Sequence, residues 1–463
     1  MRNPPKVSSR KSRNFLEAKD KKYLWHPFTQ MQDWAKEETV IIESGRGAWL
    51  RDTKGRRYLD GVSSLWCNVH GHRVPELDRA LRKQLSKIAH STFLGLSNIP
   101  AIELAEKLIQ IAPKGLTRVF YSDSGSEAVE IALKMAFQYW QQRGFKNKTR
   151  FARLTHAYHG DTLGSVSVGG IDLFHQIYKP LLFESFGVPS PYRYRWPTGS
   201  DPERVKKESL EAMEKVLARH HPQIAALVME PLMQGAAGMI DQPRGYISRA
   251  RELTKKYNVL LIFDEVATGF GRTGAMFASD HEKVTPDLLA AAKGITGGYL
   301  PLAVTLATEK IYRAFLGRYE DFKTFFHGHT YTANPLASSV ALANLRLFGK
   351  NRVLEALQPK IEWLRKRLQD FYRLSAVGDV RQAGFMAGIE LVRNRRTRQP
   401  FEVKRKMGIR VIQRARKKGV ILRPLGNVIV LMPPLSITMR ELRKLLDVTY
   451  QSIEEETRGE TLL

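Results

Sequence analysis

Apolar and polar positions follow two rhythms over the first 340 residues. Short unbroken apolar runs end in glycine- or serine-rich turns, and longer stretches repeat their apolar positions every three to four residues. "TRVFYSDSG" (117–125) reads as a strand that ends in a turn. The next stretch, "EAVEIALKMAFQYWQQRG", sets Val129, Ala132, Leu133, Ala136, Phe137 and Trp140 at helical spacing and predicts a helix with one buried stripe. "IAALVMEPL" (224–232), "NVLLIFDEVATGFGRTG" (258–274) and "DLLAAAKG" (287–294) are further short apolar runs. Runs of this kind, separated by helices, predict an α/β fold with a mostly parallel central sheet and helices on both faces.

After about residue 340 the texture changes. "LEALQPKIEWLRKRLQDFY" (354–372) predicts a long amphipathic helix, and the helix "KMGIRVIQRARKKG" separates two strands, "VRQAGFMAGIELV" and "NVIVLMPPLSI". The pattern predicts a smaller α+β domain over 336–463 beside a large domain over 71–335. Residues 16–70, with the strand pair "VIIESGRGAWLRDTKGRRYLD", are expected to pack with the small domain. Residues 1–15 read as a basic, flexible tail.

Composition narrows the class. The chain has 463 residues, 43% of them hydrophobic, and no apolar run near the ~18 residues that span a membrane. A single cysteine, Cys67, excludes an intrachain disulfide and fits a reducing compartment, the cytoplasm. The net charge of +28 raises nucleic acid as a partner. The surplus is dispersed over the chain without a nucleic-acid-binding signature, so it reads as a solvated basic surface. The H-x-H pairs, His70/His72 and His327/His329, lack a third ligand at useful spacing, and no metal site is expected.

Three positions carry chemistry. Ser124, Gly125 and Ser126 lie between a strand and a helix start, where backbone N–H groups and the helix dipole favour an anion. Capping alone would also explain them. Asp264 ends an apolar strand, where open α/β sheets gather ligands, and a carboxylate there suits a protonated nitrogen. Lys293 ends another such run, followed by Gly294, Gly297 and Gly298; a buried charged lysine is costly unless its nitrogen is otherwise engaged. Phosphate, ring nitrogen and aldehyde together would answer all three, which points to pyridoxal 5'-phosphate. Tyr158 in "THAYHGDTLG" could stack on the ring, beside His159 and Gly160. Gly328, His329 and Thr330 form a polar turn, and Arg423 at a strand end could grip a carboxylate with two hydrogen bonds.

The blocks "IFDEVATGFGRTG", "AAAKGITGGYLPLAV" and "HGHTYTANPLA", in this order, make the chain resemble the fold-type I, class III pyridoxal-phosphate aminotransferases along nearly its whole length. "LWHPFTQM", "LDGVSSLWCNVHGH", "YHGDTLGSVSVG", "EPLMQGAAGM" and "RPLGNVIVLMPPL" extend the resemblance to the biotin-pathway branch, which aminates 8-amino-7-oxononanoate. The resemblance implies that Lys293 binds the cofactor and shuttles the proton, and that Asp264 pairs with the ring nitrogen. It places Gly125 and Ser126 at the phosphate, with His329 and Thr330 on a loop supplied by the partner subunit of a homodimer. Tyr158 would lie against cofactor and substrate, Arg423 would bind the keto-acid carboxylate, and Trp66 and Gly328 would line the substrate pocket. Most members of that branch take S-adenosylmethionine as amino donor. They carry a second tryptophan where this chain has Leu65, a tyrosine at Phe28 and a proline at His329. Those departures favour lysine as donor, with S-adenosylmethionine as the alternative. Two further readings stay open: a class III aminotransferase acting on ω-amino acids or diamines, and a basic binding protein that has kept a cofactor fold.

Overall fold

The computed structural model of the chain describes residues 10–460. Residues 1–9 of the expected tail lie outside the described residues, and helix Arg10–Tyr23 takes in the rest of it. Seven strands form the central sheet: β1 (Leu116–Ser122), β2 (Arg150–Leu154), β3 (Ser185–Val188), β4 (Ile224–Met229), β5 (Leu260–Asp264), β6 (Leu288–Ala291) and β7 (Ala303–Thr308). Their spatial order is β1-β7-β6-β5-β4-β2-β3. Strands β2 to β6 are mutually parallel, whereas β7 runs antiparallel to both its neighbours, β6 and β1.

The middle strands are buried along their whole length, so their side chains face apolar layers on both sides. On one side the stripe of helix α1 (Gly125–Gln142) packs Val129, Ala132 and Ala136 against Ile262, Leu288 and Ala290. On the other, Leu227, Leu261 and Phe263 pack with Leu253 and Leu217 from the helices Tyr246–Lys256 and Pro202–His220. Each such side chain contributes about 1.5–3 kcal/mol on burial.

The C-terminal part builds an antiparallel sheet from Val377–Ala383, Met386–Asn394, Val428–Leu431 and Arg423–Leu425. The stretch expected as one strand, "VRQAGFMAGIELV", is instead a hairpin. Gly384 reverses the chain at φ +61°, where an added Cβ would lie 2.3 Å from the Thr273 carbonyl carbon, so only glycine fits. Near the N-terminus three strands form where a pair was expected, and the last, Arg57–Asp60, pairs in parallel with Val420–Ile421. Among the described residues no helix is long and apolar enough to cross a membrane.

Candidate active site

Asp264 and Lys293 meet because their strands are neighbours. Asp264 closes β5 in register with Ala290 of β6, and Lys293 follows two residues after β6 ends. The chain turns sharply there: Lys293 has φ +46° and opens a short 3₁₀ turn, Lys293–Thr296. The glycines that follow are explained by close approach. A Cβ on Gly294 would lie 2.8 Å from Phe270 Cβ, and one on Gly298 3.2 Å from the Asn68 backbone. Asn344 ties the turn down by donating to the carbonyls of Gly294 and Ile295, both at 3.0 Å.

Around this pair the charges are closed in. His159 Nδ1 lies 2.7 Å from Asp264 Oδ2, and the Val266 N–H donates to Asp264 Oδ1 at 2.9 Å. Buried Glu230 accepts from the N–H groups of Tyr158 (3.2 Å) and Gly235 (2.8 Å). Burial pushes the Glu230 carboxyl up to about 7, with the Asp264 charge adding to the rise and His159 opposing it. Burial also lowers the Lys293 ammonium, against the pull of Asp264 and Glu230. A lysine so placed gives up its proton more readily than a surface one, as a nucleophile or a proton carrier must. The Tyr158 hydroxyl donates to Asp161 at 2.9 Å, and burial pushes its pKa up, so it stays protonated.

At the other end of the cavity lies the start of α1. Ser124 caps it in a reciprocal pair with Glu127. A Cβ on Gly125 would sit 2.5 Å from Val266 Cγ1, and one on Gly160 2.2 Å from Ser126 Oγ, so the backbone closes tightly here. Ser126 Oγ lies 2.8 Å from Thr162 Oγ1 and accepts from the Thr162 N–H at 3.1 Å. The cavity measures about 710 Å³ and its walls include Lys293, Asp264, Tyr158, Trp66, Gly125 and Ser126. An anion cradle, a buried carboxylate and an amine at its ends match the phosphate, ring nitrogen and aldehyde of pyridoxal phosphate. The orphaned buried Nε2 of His159 marks the same polar wall.

Of the remaining expected residues, Trp66 is on the cavity wall, whereas Phe28, Leu65 and Arg423 are not among the residues that line it. Trp66 is buried, with the Lys293 Nζ 5.6 Å from its ring centre. Half-buried Arg423 holds its guanidinium 5.9 Å from the exposed Phe28 ring, and Leu65 is 50% exposed. Gly328, His329 and Thr330 do not line the cavity of their own chain. They lie on a loop beside Leu94 and the start of α1. The fold does give His329 carboxylate neighbours that spacing could not reveal: its Nδ1 lies 3.6 Å from both Asp123 and Glu127. Glu230 and Asp161 are also on the wall, and neither stands out by spacing or motif. The only signal for Glu230 is a carboxylate directly after an apolar strand, the same signal that marked Asp264.

The chain is similar to known proteins along nearly its whole length. The class-III aminotransferase family model matches residues 31–453. A relative from Geobacter sulfurreducens, an adenosylmethionine-8-amino-7-oxononanoate aminotransferase, is 53% identical over 441 residues, 95% of this chain and 97% of its own. The crystal structure of the Methanocaldococcus jannaschii protein of that name superposes with a TM-score of 0.92 at 47% identity, covering 96% of this chain and 99% of that one. The ω-transaminase of Pseudomonas jessenii, solved in complex with PMP, reaches the same TM-score at 30% identity, covering 96% and 99%.

Proposed function

The chain belongs to the class-III aminotransferases, pyridoxal-phosphate enzymes of fold type I, and from that premise we propose that it converts 8-amino-7-oxononanoate to 7,8-diaminononanoate in biotin biosynthesis. The observation that carries the chemistry is the pairing of Asp264 and Lys293 on adjacent parallel strand ends, facing the start of α1.

When bound, pyridoxal phosphate supplies an aldehyde that takes up amino groups and a ring that accepts the electron pair released at the donor carbon. Gly125 and Ser126 would hold the phosphate at the helix start. The Asp264 carboxylate would keep a proton on the ring nitrogen, with its orientation fixed by His159. Lys293 Nζ would take the proton from the donor carbon and hold it for transfer. Arg423 grips the carboxylate of the keto acid, and Tyr158 and Trp66 shut water from the reacting centre. Amino group in and amino group out are separate half-reactions, so the kinetics are ping-pong.

The donor is an amino acid with a second positive charge. S-adenosylmethionine is the donor in the names of the relatives. Lysine is the reading favoured by this chain's own rim, where Leu65 and Phe28 give a sulfonium and an adenine ring less aromatic surface and one hydroxyl fewer. The partner we propose is a second copy. Leu94, Leu96, Ile99, Phe326 and Tyr331 are exposed apolar side chains around the Thr330 loop, and their cover by a twin would carry His329 and Thr330 to the twin's phosphate. The cytoplasm is the compartment that suits a single free cysteine.

The holoenzyme, given 8-amino-7-oxononanoate with lysine or with S-adenosylmethionine, is expected to release the diamine with one of them. Absence of product with both, alongside turnover of ω-amino acids or diamines, would move the protein to another class III activity.

A further inference from the structure

Four successive non-glycine residues, Ser63, Ser64, Leu65 and Trp66, have φ of +52°, +47°, +74° and +70°. They make one turn of left-handed helix, closed by Trp66 N–H to the Val62 carbonyl (2.8 Å) and Cys67 N–H to the Ser63 carbonyl (3.1 Å). L-residues avoid this conformation because Cβ crowds the following carbonyl, and it persists only where the surroundings over-determine it. Such strain collects at functional sites, and this turn delivers Trp66 to the wall facing Lys293.

Buried hydrogen bonds hold the turn in place. Asp60 is fully buried; its Oδ1 accepts from the N–H groups of Ser64 (2.9 Å) and Val62 (3.3 Å), and its Oδ2 from the Ser64 hydroxyl (2.8 Å). His72 Nε2 lies 3.0 Å from the same Oδ2, and Asn68 Nδ2 meets His72 Nδ1 at 3.2 Å. Ser63 Oγ donates to the Met432 carbonyl at 2.6 Å, and Arg272 Nη1 donates to Ser63 Oγ (3.1 Å) and the Pro433 carbonyl (2.8 Å). Gly298, five residues after Lys293, backs onto Cys67 and Asn68. The turn therefore joins the Asp264 loop, the Lys293 loop and the C-terminal sheet.

We propose that Asp60 is a positioning residue of the reaction: through Ser64 and His72 it locks the left-handed turn Ser63–Trp66, and so fixes the Trp66 ring against Lys293. This inference rests on the pyridoxal-phosphate reading above and goes beyond it, because Asp60 does not line the cavity. The aromatic face favours positive charge at the Lys293 nitrogen. A turn set loose withdraws that face, so the nitrogen loses its proton at lower pH.

The test follows the visible absorbance of the lysine-bound cofactor as a function of pH in wild type, Asp60→Ala, Asp60→Asn and Ser64→Gly, beside kcat, KM and thermal melting. Asp60→Ala is expected to move the absorbance midpoint down by about half a pH unit. Its kcat is expected to fall by about tenfold or more, with a smaller change in KM. Asp60→Asn keeps an acceptor for the Ser64 N–H and is expected to recover part of both. Ser64→Gly accepts the left-handed conformation without crowding, so it stays folded at or above the melting temperature of Asp60→Ala while still shifting the midpoint. Should the folded variants melt earlier but keep the wild-type midpoint and kcat, Asp60 is structural only and the inference is overturned. A wild-type protein without the absorbance band overturns the pyridoxal-phosphate reading, and this inference with it.

Discussion

His159 Nδ1 lies 2.7 Å from Asp264 Oδ2, and both side chains are sealed from solvent. The contact fixes a carboxylate at the end of a strand whose other oxygen is held by the Val266 N–H, so Asp264 has one orientation to offer a ring nitrogen. Asp264→Asn keeps the shape and removes the charge. Its kcat is expected to fall by roughly 10²–10³-fold, the scale for losing one preorganised electrostatic contact. His159→Phe leaves the charge and loosens its aim, with a smaller loss. Steady-state kinetics of the two holoenzyme variants decide this, and equal activity of Asp264→Asn and wild type would remove the carboxylate from the chemistry.

Glu230 sets a pH dependence on stability. Its carboxyl titrates at about 7 in the folded protein, because it is buried beside Asp264, and near 4.5 when unfolded. Between these values the folded state holds a proton that the unfolded state has lost, so stability falls as pH rises from about 4.5 to 7 and is level above. Glu230→Gln cannot lose that proton. Relative to wild type, the glutamine variant is expected to gain stability on going from pH 5 to pH 8, by at most ~3 kcal/mol. Chemical denaturation of both proteins at the two pH values measures it; a constant gap would show that the carboxyl does not titrate in this window.

Gly160 tests the phosphate cradle. Its φ of +121° and the 2.2 Å separation of a built Cβ from Ser126 Oγ forbid alanine without movement of Ser126. Gly160→Ala is expected to weaken cofactor binding about tenfold or more, since 1.4 kcal/mol already gives that factor. Titration of the apoenzyme with pyridoxal phosphate reads it out. Gly199, also at positive φ but with open space around its Cβ position, is the control, and Gly199→Ala is expected to leave cofactor affinity unchanged.

What could be read from the sequence was set by locality. Asp264, Lys293 and the start of α1 each end an apolar run, so period and turn chemistry marked them before any fold was known. Strand β7 escaped, because its antiparallel pairing with β1 and β6 depends on partners about 185 and 15 residues away and its six residues carry no turn signal of their own. The hairpin at Gly384 was hidden in the same way, since two apolar strands joined through a glycine look like one. The left-handed turn at Ser63–Trp66 could not be seen in "SSLW", which holds no glycine or asparagine to advertise it; its cause lies in Asp60, Arg272 and Met432. Glu230 and His159 matter through burial, which one sequence does not display.

Leu65 and Phe28 are the positions at which the proposed choice of donor can be tested. Leu65 stands half exposed next to buried Trp66 in the chain, and Phe28 offers its ring near Arg423 without a hydroxyl. A second indole at position 65 would give a sulfonium and an adenine ring a face to lie on, worth about 0.5–1 kcal/mol at an exposed site. Leu65→Trp combined with Phe28→Tyr is therefore expected to raise kcat/KM for S-adenosylmethionine by about two- to fivefold for the ring alone, since a tenfold change needs 1.4 kcal/mol. The strained backbone is unchanged by the swap, because Leu65 already holds a left-handed φ and Trp66 shows that an indole tolerates one. The same pair is expected to leave lysine turnover level or lower, because its ammonium finds no new partner. If the double variant and wild type use both donors in the same ratio, these two positions do not select the donor, and the preference lies with cavity residues such as Tyr158 and Trp66.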